Sequence, residues 1–112
     1  MDKITVDNVV ISGADKVDSQ LRVEGLLVIE GDDCYIVSGR DARQNRIDLY
    51  GDDIIDALLD EVPCYIGGDF LYEDEAIVEG VLKNNGSGNG YILSNIKMIV
   101  LYRGDEEFII NY

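Results

Sequence analysis

The sequence predicts a mainly β protein with one helix, closing into a small, partly open, curved β-barrel. Three observations carry this. Glycine is frequent (12) and proline occurs once, while Val, Ile and Tyr abound, a mix that favours strands joined by tight turns. Apolar residues alternate with polar ones in several short runs bounded by Gly, Asp and Asn. A single run has the 3.6-residue period of an amphipathic helix. A length of 112 residues, 46% of them hydrophobic, fits one domain over 1–112 with a core of its own.

The elements follow in order. Residues 1–20 form an N-terminal strand or extended arm, ITVDNVVIS, closed by a turn at GADK. In LRVEGLLVIEG, residues Leu21, Val23, Gly25, Leu27 and Ile29 share one face of a strand. EGDD turns the chain into a second strand, CYIVS, and the loop GRDARQN leads to a third, RIDLY. The helix spans 52–62, with Ile54, Ile55, Leu58, Leu59 and Val62 as its apolar face. Asp52 or Asp53 caps its start and Pro63 stops it. CYIGGDFLY reads as a strand bent at Gly67-Gly68, and EDEAIVEGVLK as the strand that follows. NNGSGNG is a hairpin loop before the long strand YILSNIKMIVLYR. The segment 105–112 ends the chain as a strand.

The triplet Val-Glu-Gly occurs twice, at Val23–Gly25 and Val78–Gly80, each followed by a Tyr-Ile-x-Ser. A duplicated half would repeat the helix, and no second helix follows. The two triplets therefore read as similar strands of one barrel, with Gly25 and Gly80 at bends. The order of three strands, helix, two strands over 21–103 resembles the OB-fold, whose helix lies between the third and fourth strands. That resemblance implies that the first and fourth strands are neighbours. Another curved antiparallel α+β barrel is the alternative.

Charge is the outlier. There are 23 acids, 9 bases and no histidine, a net charge of −14. Eleven acids and no base lie between Arg46 and Lys83. Like charge at that density repels itself, whereas a merely soluble surface mixes signs. Phosphate neutralisation needs Lys and Arg, so direct nucleic-acid binding is disfavoured and a basic protein partner is expected. Arg40, Arg43 and Arg46 are the sole basic cluster, on which an alternative rests: an OB-like binder of nucleic acid or oligosaccharide.

Other chemistry is excluded motif by motif. The short carboxylate clusters match no calcium loop, and Cys34 and Cys64 have no nearby Cys or His to make a zinc site. No metal and no cofactor is expected. With no histidine and no nucleophile elbow, the chain does not read as an enzyme. The N-terminus lacks the basic flank and apolar run of a signal peptide, and no run is long enough for a membrane span, so a cytoplasmic location is expected.

The candidate partner-binding residues are Asp53, Asp56, Asp60, Glu61, Asp69, Phe70, Tyr72, Glu73, Asp74 and Glu75. The carboxylates would steer a cationic partner. Phe70 and Tyr72, two apart and so on one face, would anchor it. In size and acidity the chain is similar to the immunity proteins that bacteria make against their own nuclease toxins, and to phage-encoded DNA mimics. That similarity implies an inhibitor that covers the nucleic-acid-binding or active-site surface of a basic toxin.

Overall fold

A computed structural model describes residues 3–31, 33–39, 42–51, 54–63, 68, 70–84 and 90–111. Its strands are β1 (Lys3–Thr5), β2 (Gln20–Glu30), β3 (Asp33–Gly39), β4 (Ala42–Leu49), β5 (Tyr72–Asn84), β6 (Tyr91–Arg103) and β7 (Glu106–Asn111). Its helices are α1 (Val6–Ser12) and α2 (Ile54–Glu61). The protein is mainly β, as its composition implies.

All seven strands belong to one sheet. β2 pairs antiparallel with both β3 and β5, β3 with β4, and β5 with β6. A short parallel pairing of β4 with β6, from Ile47↔Tyr91 to Leu49↔Leu93, joins the ends of that path. Pairing thus runs in a ring through five strands, although they are not spaced evenly round an axis. β1 and β7 lie outside the ring, on β2 and β6.

The two Val-Glu-Gly triplets meet. Val23 stands opposite Val78, Arg22 opposite Glu79 and Leu21 opposite Gly80. Each glycine answers to a close backbone approach. A Cβ on Gly25 would collide with the Val37 carbonyl oxygen, where one edge of β2 passes from β1 to β3. A Cβ on Gly80 would stand 2.7 Å from the Ser94 carbonyl oxygen. Opposite Gly80 the register shifts and Asn95 adopts φ 48°, so β6 bends there. Its first half then serves β4 and its second half β7.

The N-terminal segment corrects the expected strand or arm. Only Lys3–Thr5 is extended; Val6–Ser12 is helical. The Thr5 hydroxyl accepts the Asn8 N–H at 3.3 Å and caps the helix. Val6 and Val9, three apart, are fully buried, so the helix gains core burial that an extended chain would lose on one of them. The second helix lies where the periodicity puts it, but its buried face is narrower: Ile54 and Leu58 are buried, Val62 beyond its end is too, and Leu59 is 44% exposed. The segment expected as a bent strand at 64–72 falls largely outside the described residues; Phe70 and Leu71, which are described, are not in a strand.

The main core draws on both helices and most strands, with Leu27, Ile36, Ile47, Leu58, Tyr72, Val78, Leu93 and Ile99 among its buried side chains. A second cluster, Leu26, Val28, Tyr35 and Val37, lies on the other face of β2 and β3, and Phe70 packs against it.

Candidate functional site: two classes of carboxylate

The acidic stretch divides in space. Along β5 the even positions Tyr72, Asp74, Ala76, Val78, Gly80 and Leu82 are all buried and form one strand face, while of the odd positions only Ile77 is buried. Asp74 therefore points the way the core residues point, and it is 5% exposed. Register brings β6 alongside, and Arg103 meets it in a forked contact: Nη2 donates to Oδ2 at 2.7 Å and Nε to Oδ1 at 3.2 Å.

The same guanidinium donates from Nη1 to the Pro63 carbonyl at 2.7 Å, and the buried Tyr72 hydroxyl donates to the Val62 carbonyl at 2.6 Å. These carbonyls follow the last turn of α2, where backbone acceptors lack helical partners. Helix α2 has no basic residue in its last turn. Arg103 brings the missing cation from β6, favourably placed for the negative end of the helix dipole. Tyr72 and Asp74, expected to face a partner, are thus inside the fold and hold the end of α2 to the sheet. Even spacing with Ala76 and Val78 was the sequence signal for this; the partner, 29 residues on, becomes visible only through strand pairing.

Glu79, half-buried on the outward face of β5, is a second acid held by a base. It takes Arg22 Nε at 2.7 Å and Gln20 Nε2 at 2.6 Å across the β2–β5 pairing. The Arg22 hydrogen bond is the main reason its carboxyl lies below the ordinary 4.5; the Gln20 hydrogen bond and the charges of Arg22 and Lys97 add to this, against a smaller opposing effect of burial. Asp48 pairs with Arg46 at 2.7 Å. Asp48, Asp74 and Glu79, all within the acidic stretch between Arg46 and Lys83, are therefore paired with bases outside it.

The other expected site residues lie differently. Asp56, Asp60 and Glu61 are exposed on α2, around the exposed Leu59. Glu75 is exposed and Glu73 half-buried on β5. Phe70 is half-buried against the second cluster while Tyr72 is in the main core, so the two do not share a face: Phe70 precedes the strand, and alternation does not reach it. Asp53 and Asp69 lie outside the described residues.

Register adds residues that the sequence reading missed. Tyr102 of β6 stands opposite Glu75 on one side and Glu107 on the other, and all three are exposed. The next outward row is Ile77, Val100 and Ile109, of which Ile109 is 56% exposed. A cleft of about 950 Å³ is lined by Asp7, Glu24, Glu73 and Glu75 together with Lys3 and Arg103. Asp7 takes the Ser38 hydroxyl, and Glu24 lies 3.7 Å from Lys3.

The bases are mostly committed. Of the seven whose side chains are described, Lys3, Arg22, Arg46, Lys83 and Arg103 each pair with a carboxylate. Arg46 also lies 4.2 Å over the Tyr35 ring. Arg46 belongs to the cluster on which the nucleic-acid alternative rests; the side chains of Arg40 and Arg43 lie outside the described residues.

Burial, with Asp48 nearby, pushes the Cys34 thiol up to about 12, so it stays protonated and unreactive near neutral pH. Cys64 is not among the described residues. Among those described, no group of three His, Cys, Asp or Glu side chains is placed to hold a metal ion, and no helix is long and apolar enough to cross a membrane. No family model, no curated protein and no solved structure matches this chain.

Proposed function

We propose that this protein is an acidic binding module that occupies the cationic surface of a basic protein, of the kind a nuclease-type toxin presents to nucleic acid. The observation that carries this reading is the division of carboxylates. Ion pairs within the protein, most of them at its surface, engage five of the seven described bases, and the exposed acids of α2, β5 and β7 are interleaved with apolar groups. Asp56, Asp60 and Glu61 surround Leu59; Glu75 and Glu107 flank Tyr102. Carboxylates steer a cationic partner and stand where its phosphates would stand, while the apolar groups supply close contact. The strand ring, with its parallel β4–β6 pairing and α2 between β4 and β5, supports an OB-like architecture used as a scaffold for this surface.

The test is affinity capture from the native cell, followed by competition. The captured protein should be basic, should be displaced by nucleic acid, and should elute as salt rises. Retention at high salt, or indifference to nucleic acid, refutes the proposal.

A further inference from the structure

Within the sheet, β1 and β7 are the strands outside the ring, and they differ as edges. β1 is three residues long and carries Lys3. β7 is six residues long and pairs with β6 at six consecutive positions without a register shift, from Arg103↔Glu106 to Met98↔Asn111. Among the described residues no strand pairs with its other side. In an antiparallel strand, alternate residues turn N–H and C=O away from the neighbour, so about half of β7 offers backbone donors and acceptors outward.

Proteins close such edges with lysine, proline, a bulge, shortness or a cover. EEFIIN contains neither lysine nor proline, has no bulge and is not short. Helix α2 touches β7, but through the core to which Leu58, Phe108 and Ile110 contribute. The opposite face carries Glu107 and the exposed Ile109. Among the described residues, what guards this edge is negative charge. At −14 that charge opposes pairing with a second copy, and it favours a basic strand.

We propose that β7 is a strand-addition edge that takes an extended basic segment of the partner. Its outward side chains alternate as the edge does. A cation lies against Glu107, the residue of β7 beside it on the outward face, and an apolar group two residues along lies on Ile109. This rests on the acidic-surface reading above and adds the backbone pairing to it.

The test uses the full chain, isotopically labelled, and three synthetic probes. The first is a short extended peptide with Lys and Val alternating on one face and Thr on the other. The second is the same peptide N-methylated at every backbone nitrogen, so that neither of its edges can donate to a strand. The third is oligolysine of equal charge. The first probe should slow exchange of alternate β7 amides about tenfold or more, leave β1 unchanged, and bind more tightly than the other two. Equal binding of all three without β7 protection overturns strand addition and leaves the acidic-surface reading standing. Binding by none overturns both. Protection of β7 that grows with protein concentration and no peptide assigns the edge to a second copy and overturns the proposal.

Discussion

Asp74 and Asp60 lie fourteen positions apart on either side of Pro63, in the same base-free stretch, and do opposite things. Asp74 is buried, forked to Arg103, and part of the device that fixes the end of α2. Asp60 sits on the exposed face of α2, beside Asp56 and Glu61, with no base in that helix to answer it. The first kind of carboxylate holds the fold together. The second kind repels its neighbours and does nothing for the core. A count of acids along the chain cannot separate them; strand register can.

Four substitutions sharpen that contrast. Arg103→Ala leaves Asp74 buried and unpaired and also frees the Pro63 carbonyl, so urea unfolding should show a loss of about 3–5 kcal/mol. A loss near zero would mean that Asp74 is solvated and belongs with the exposed class. Tyr72→Phe keeps the ring in the core but removes the hydrogen bond to the Val62 carbonyl, and should cost about 1–2 kcal/mol in the same measurement. Glu79→Gln acts through pH. The folded carboxyl lies below 4.5, so its contribution is complete above that value and is lost as pH falls through the lower folded pKa. Wild type should therefore lose stability more steeply than the Gln variant as pH drops below 4.5, and parallel acid limbs would remove Glu79 from the structural class. Asp56→Asn should change stability by no more than about 0.5 kcal/mol.

Much of the fold was legible in the sequence, and the failures share a cause. Alternation and turn residues locate β2, β3, β5 and β6 closely, whereas β4 already starts at Ala42 inside the expected loop GRDARQN, because its polar residues are drawn into the strand by pairing with β3; the paired Val-Glu-Gly strands are recognisable because their glycines sit where backbones nearly touch. Helix α1 was missed because Val and Ile suggest strand, while its cap at Thr5 and the three-residue spacing of Val6 and Val9 are weak local signals that packing decides. Leu59 was assigned to the core because five apolar residues fit a helical face, but α2 buries only a narrower stripe. The candidate site was legible as a charge and not as a surface. Tyr72 and Asp74 lie inside, while Tyr102, Glu107 and Ile109 enter through strand pairings 27 to 34 residues from Glu75 in the chain, which no local pattern encodes.

The central claim is that the exposed carboxylates are carried at the expense of the fold rather than for its benefit. The most direct measurement is urea stability as salt is raised from about 10 mM to about 200 mM, across which the screening length falls several-fold. Wild type is compared with the variant Asp56→Asn, Asp60→Asn, Glu75→Gln, Glu107→Gln. The account predicts that wild type gains stability as salt screens the repulsion, and that the variant starts more stable and gains less. A variant that is less stable at low salt, with the same salt slope as wild type, would contradict it.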